Sequence, residues 1–240
     1  MGNTVYRTVS GSVAQLRRLD VLANNLANAE TPGFKADRVS FREALDAQKR
    51  GTKFVDVPSA ELDLSVGSLQ TTDSPLDVAL SGSGFLVADS PSGARLTRGG
   101  RLATSDDGTL TTVSGLPLLS TNGGPIRVAM RGAGSEFPLQ ISESGVVSQG
   151  DRTLGTLMRK EAAGASLERL GEGLYGVQGG PFGLPNATSA TVRQGAVEGS
   201  NVSPVLAMTE LVDVQRNFDA LQQVMKVYRE IDEQSNRRMR

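Results

Sequence analysis

The first periodic segment of the chain runs from Asn3 to Asn28. Steps of three and four residues give Val5, Val9, Ser12, Leu16, Leu19, Ala23 and Leu26, apolar at every position except Ser12. This spacing predicts a helix with one narrow apolar seam, about 39 Å long at a rise of roughly 1.5 Å per residue. Asn24, Asn25 and Asn28, poor helix formers, mark its end, and Thr31-Pro32-Gly33 turns the chain into Phe34-Lys35. Pro32 restricts Thr31 to extended backbone, and Gly33 offers a positive φ that other residues adopt only with strain.

The last segment repeats the design. Ser203-Pro204 predicts an N-cap and a first-turn proline, with Val202 placed to staple against Ala207. From there Ala207, Leu211, Val214, Phe218, Leu221, Met225 and Tyr228 fill every a and d position for three heptads. Glu210, Asp213, Gln215, Arg216, Asn217, Asp219, Gln222 and Lys226 form the polar remainder. A seam confined to a and d buries its face in a coiled coil, so the two terminal helices are expected to pair that way.

Between them, short apolar runs alternate with Gly, Ser and Thr. Leu76, Val78 and Leu80 alternate, and Phe85-Leu86-Val87 follows Gly82-Ser83-Gly84. Arg101 to Thr104 and Thr109 to Thr112 flank Asp106-Asp107-Gly108, a hairpin signal. Further short runs stand at Ile126-Val128-Met130, Val146-Val147 and Leu154 to Leu157. The fold class is therefore α+β: long N- and C-terminal helices packing as a coiled coil around an inserted irregular all-β domain. Its expected division is 1–35 for the first axial helix and its turn, 36–64 for a connector, 65–192 for the β domain and 193–240 for the second axial helix. Within the connector, Phe41, Ala44 and Leu45 suggest a short helix ahead of Arg50-Gly51-Thr52.

Composition narrows the chemistry. The 240 residues include no His and no Cys, which removes Ser-His-Asp and Cys-His nucleophiles, thiolate redox work and Cys or His metal sites. A formal charge of −1, from 25 basic and 26 acidic residues, supplies no field toward nucleic acid or an anionic membrane. Gly82-Ser83-Gly84 lacks the third glycine and following helix of a phosphate loop and reads as a β-turn. Asp106-Asp107 is a turn rather than a catalytic carboxylate pair, because Gly108 follows. The expectation is no enzyme, no cofactor, no metal, no nucleic acid and no small-molecule substrate. The N-terminus lacks an apolar run behind a basic one, so a cleaved signal peptide is not expected.

Thirteen adjacent residues, Ala23-Asn24-Asn25-Leu26-Ala27-Asn28-Ala29-Glu30-Thr31-Pro32-Gly33-Phe34-Lys35, resemble the signature of the flagellar rod and hook axial proteins. Glu198-Gly199-Ser200-Asn201-Val202-Ser203-Pro204, with Met208 and Gln215-Arg216-Asn217-Phe218, is similar to the family's second signature. The stretches Pro75 to Phe85, Leu96-Thr97-Arg98-Gly99-Gly100, Gly108-Thr109-Leu110 and Gly115-Leu116-Pro117-Leu118 resemble its β domain. Asp73 stands where the family commonly has Gly; Asp tolerates the left-handed region, so the turn should persist. The Glu-Gly-Ser-Asn-Val form, Thr-Pro-Gly-Phe and the modest length look most like the F-type proximal-rod members, with the distal rod or hook as the neighbouring alternative.

The resemblance implies a structural subunit of the bacterial flagellar basal-body rod, polymerising through its terminal helices into a helical tube where the rod crosses the periplasm. It implies copies of itself, neighbouring rod proteins and the flagellar type III export apparatus as partners, with export that removes no signal peptide. The subunit-interface residues expected are Val9, Leu16, Leu19, Asn24, Asn25, Leu26, Asn28, Pro32, Gly33 and Phe34 at one end, and Asn201, Leu211, Val214, Gln215, Arg216, Phe218, Leu221 and Met225 at the other. Without the resemblance, the seams would equally allow a coiled-coil oligomerisation module presenting a β binding domain.

Overall fold

The computed structural model describes residues 2–39, 60–129 and 138–238. Helix α1 spans Gly2–Ala27 and helix α2 spans Pro204–Arg238. The chain divides into two compact units, one of Met1–Ala29, Ala36–Asp63 and Val202–Arg240, the other of Glu30–Lys35 and Leu64–Asn201. The connector helix expected around Phe41, Ala44 and Leu45 lies outside the described residues.

In the first unit, α2 begins at Pro204 as its sequence dictates, and the Ala207 N–H closes the first turn on the Ser203 carbonyl at 2.9 Å. Strands β1 (Asp37–Val39) and β2 (Ala60–Leu62) pair antiparallel beside the helices. The helices pack on each other: a Cβ built on Gly11 would lie 3.8 Å from Leu221 Cδ1, so this glycine admits the leucine into ordinary contact.

The α+β class holds, but the expected coiled coil is absent among the described residues. Knobs-into-holes packing requires both seams to be buried layer after layer. On α2 the seam is the less exposed stripe, with Ala207 and Val214 buried and Leu211, Phe218, Leu221 and Met225 half-buried. On α1 the seam is broken: Ser12 is buried and Leu19 and Leu26 are half-buried, but Leu16 is 44 % exposed and Ala23 is exposed, whereas Leu22 and Asn25, off the seam, are buried. The face that α1 withdraws from solvent runs through Gly11 and Ser12, Gln15, Arg18, Leu22 and Asn25. Its polar and small members are invisible to a count of apolar spacing.

The second unit is irregular β structure. A five-stranded antiparallel sheet has the order β12 (Arg159–Lys160), β5 (Phe85–Ala88), β6 (Arg95–Thr97), β14 (Leu174–Val177) and β13 (Leu167–Gly171). A three-stranded sheet has the order β11 (Arg152–Thr156), β10 (Val146–Gln149) and β9 (Leu139–Ile141). Three two-stranded ribbons complete it: β7 (Leu102–Thr104) with β8 (Leu110–Thr112), β4 (Val78–Ser81) with β15 (Thr191–Gln194), and β3 (Leu69–Thr71) with β16 (Ala196–Glu198). The last two ribbons join strands from opposite ends of the unit, so its first and last segments meet. One apolar core, including Val78, Leu86, Leu110, Leu118, Ile126, Val147 and Leu157, lies between these small sheets. The run at Ile126 and Val128 makes only isolated bridges, Thr109 to Arg127 and Leu119 to Pro125, and Met130 lies outside the described residues.

The turn chemistry follows the sequence closely. Gly82 (φ 97°) and Gly84 (φ 147°) turn β4 into β5, and Asp73 keeps the left-handed backbone (φ 56°) that glycine would give. The hairpin between β7 and β8 turns at Gly108 (φ 81°). There the Asp107 carboxylate accepts the Thr109 backbone N–H at 3.0 Å and the Thr109 hydroxyl at 2.9 Å. These bonds, the backbone one foremost, hold the Asp107 carboxyl below its ordinary value. A depressed folded pKa means the contribution is whole above the ordinary carboxylate range and is lost as pH falls through the folded value. Asp107→Asn should therefore melt slightly below the parent at neutral pH and converge with it in acid. A gap independent of pH in paired melting curves would contradict this.

Candidate functional site

The two sequence signatures fold into two local structures, one in each unit. At the end of α1, Asn28 N–H reaches the carbonyls of Asn24 and Asn25, both at 3.2 Å, and the Asn28 side-chain amide donates to Asn24 O at 2.9 Å. Asn25 is buried and acts as a surrogate strand partner. Its Nδ2 donates to Asp37 O at 2.8 Å and its Oδ1 accepts from Asp37 N at 2.9 Å, which fixes where β1 starts. Asn24 is exposed.

Thr31-Pro32-Gly33 then turns the chain, with Gly33 in the left-handed region at φ 72°. A Cβ there would come to 2.5 Å from Arg98 O, so both conformation and space demand glycine. Past the turn, Lys35 and Phe34 are buried at 1 % and 4 % exposure. Lys35 Nζ donates to Glu198 Oε1 at 2.7 Å and to Ser65 O at 2.6 Å. Arg98 Nε donates to the other oxygen of Glu198 at 2.5 Å, and its terminal nitrogens donate to Gly84 O, Gly82 O and Leu80 O. The Gly67 N–H adds a bond to Glu198 Oε1 at 2.9 Å. Backbone bonds run alongside: Gly33 N to Glu198 O at 2.8 Å and Asn201 N to Phe34 O at 3.3 Å. Arg169 lies over the Phe34 ring at 4.1 Å and donates to Lys35 O, and Tyr175 OH accepts the Lys35 N–H at 3.2 Å.

This is a buried ionic clasp joining the first signature, the second signature and the Gly82-Ser83-Gly84 turn. Its chemistry is structural: Glu198 has a donor on each oxygen, and the cations are bound to it and to carbonyls. Among the described residues, no group of three or more acidic side chains is placed to hold a metal ion, and no helix is long and apolar enough to cross a membrane.

The expected interface residues are distributed between the two units. Gly33, Phe34 and Asn201 sit in the clasp, where Asn201 Nδ2 also donates to Ser65 Oγ at 3.1 Å; Pro32 is half-buried beside them in sequence. Val9 and Leu16 lie on α1, Leu16 exposed, with Leu19, Leu26 and Asn28 half-buried. On α2, Val214 is buried, Leu211, Phe218, Leu221 and Met225 are half-buried, and Gln215 and Arg216 are exposed. Periodicity missed Lys35, Arg98, Glu198, Tyr175 and Arg169. Its one available signal was Glu198 directly after the apolar pair Ala196-Val197, a carboxylate on a strand that proves buried throughout.

Comparison with known proteins gives this geometry a family. The flagella basal body rod protein family matches residues 6–35, and the C-terminal family of flagellar basal body rod FlgEFG proteins matches 193–238. A flagellar basal-body rod protein FlgF from Mesorhizobium japonicum is 32 % identical, aligned over 94 % of this chain and 93 % of its own length. That from Salmonella typhimurium is 33 % identical over 99 % of this chain and 97 % of its own. A flagellar basal-body rod protein FlgG from Bacillus subtilis is 28 % identical over 96 % and 97 %. With likeness at this level along nearly the whole chain, and both matched segments meeting in one clasp, the chain belongs to the flagellar basal-body rod protein family.

Proposed function

We propose that the chain is a structural subunit of the flagellar basal-body rod that polymerises through α1 and α2. The observation that carries the assembly mode is the exposed apolar surface of the helices. Val205, Leu206, Met208 and Val212 are 76 %, 58 %, 54 % and 46 % exposed on α2, and Val13 is 50 % exposed on α1. Aliphatic side chains concentrated this way mark a contact surface. Copies of the chain and neighbouring rod components are the partners this surface serves, and the flagellar type III export apparatus is the route by which the subunit reaches the basal body. The greater identity to relatives named FlgF than to the FlgG relative supports the proximal rod as its place. The interface residues on the helices, among them Val9, Leu16, Leu211 and Phe218, belong to the same proposal.

The test uses the exposed residues, whose replacement costs the isolated subunit little. Leu206→Asp with Met208→Asp should leave the melting temperature nearly unchanged, since exposed substitutions stay within about 0.5 kcal/mol. The variant should be missing from purified basal bodies, and the cells should not swim. Normal incorporation of a normally exported variant would remove α2 from the interface.

A further inference from the structure

We infer that the Lys35, Arg98 and Glu198 clasp is a latch that opens separately from the β core, releasing residues 33–35 from residues 196–201 while the core stays folded. This rests on the geometry of the β unit alone and goes beyond the rod reading. Two kinds of packing hold that unit through different side chains, with Arg98 reaching the core cluster at the Leu80 carbonyl. The core cluster is aliphatic and runs from Val78 through Leu110, Leu118 and Val147 to Val192. The clasp is ionic and polar, and none of Phe34, Lys35, Arg98, Tyr175 or Glu198 belongs to that cluster.

The clasp depends on one carboxylate to an unusual degree. Glu198 accepts from Lys35 Nζ, Arg98 Nε and the Gly67 N–H through its side chain, and from the Gly33 N–H through its carbonyl. Buried ions gain from each other only while the geometry is complete, and desolvation opposes them otherwise. Such a cluster closes or opens as a unit. By contrast, the core is held by area removed from water, which tolerates the departure of a peripheral segment. The predicted open state therefore keeps β4 to β15 and loses the bonds of Gly33, Lys35 and Gly67.

Native-state hydrogen exchange on the full, unmodified chain tests this without a substitution. The Gly33 and Gly67 amides, bonded to Glu198, should exchange at least about 100-fold faster than the Leu110 and Leu118 amides, which bond to Ile126 O and Leu110 O inside the core. Equal protection at all four would overturn the latch. Glu198→Gln supplies the second arm. Trypsin should then cut after Lys35, buried in the parent, while the Leu110 and Leu118 amides stay protected. Retained resistance at Lys35 would show that Glu198 does not hold the clasp, and simultaneous loss of core protection would show that clasp and core are one unit; either result overturns the inference.

Discussion

Gly100→Ala is expected to lower the stability of the chain by about 3 kcal/mol or more, at the upper end of what overpacking costs. Gly100 is buried, and its backbone conformation is one that any residue adopts. The obstacle is purely space: an added Cβ would be driven into the carbonyl oxygen of Val78, a backbone atom of β4. A flexible side chain could swing away, but Val78 O cannot. Val78 is 1 % exposed in the core, and its N–H is tied to Gly100 O itself at 2.8 Å. Relief requires β4 to move, and with it the β4 to β15 pairing that joins the ends of the unit. The expected fall in melting temperature is about 10 °C for a chain of this size. Gly124→Ala is the control, because a Cβ there meets open space and the residue has no positive φ. It should be neutral or stabilising by up to about 1 kcal/mol, through the lost freedom of the unfolded chain. Thermal melts of the two variants against the parent measure both, and equal melting temperatures would refute the steric reading of Gly100.

The features legible in the sequence are those fixed by neighbours along the chain. Gly33 is demanded twice, by its left-handed φ and by Arg98 O, which an added Cβ would meet; only the first reason, signalled by the Thr31-Pro32-Gly33 turn, can be read from the sequence. Gly108 closes its hairpin because Asp107 and Thr109 bond locally, two residues apart. The helix ends at Ser203-Pro204 and at Asn24 to Asn28 were equally local. What escaped was set by partners far away. The seam on α1 was misplaced because Asn25, polar and therefore uncounted, is drawn inward by the backbone of Asp37. The expected alternation at Leu76, Val78 and Leu80 gave β4 its place but not its environment, since Ala79 between them is buried as well. Lys35, Arg98 and Glu198 were visible only as letters within family stretches. Nothing in an ionisable residue's own neighbourhood announces a partner 163 residues distant.

Glu198→Gln is expected to cost about 3 to 5 kcal/mol, the range for breaking a buried ion pair by removing one partner. Lys35→Met should cost less, about 1 to 2 kcal/mol, comparable to removing a single buried hydrogen-bonded group. The asymmetry follows from the connectivity. Without Lys35, the Glu198 carboxylate still accepts from Arg98 Nε at 2.5 Å and from the Gly67 N–H at 2.9 Å. Without the Glu198 charge, Lys35 and Arg98 both lose their common carboxylate, and an amide NH2 is set facing one of those donors. The double variant should then be more stable than the sum of the single losses predicts. In the Glu198→Gln background, Lys35→Met removes a cation whose bond to that carboxylate has already gone, so the coupling should reach about 1 kcal/mol or more. Arg98 should behave differently from Lys35, because its guanidinium also ties Gly82 O, Gly84 O and Leu80 O and thereby holds the turn between β4 and β5. Arg98→Met is accordingly expected to lie nearer to Glu198→Gln than to Lys35→Met. Denaturant unfolding of the four variants and the parent yields the cycle directly. Strict additivity, or a larger loss at Lys35 than at Glu198, would mean that the carboxylate is not the centre on which the two chain ends converge.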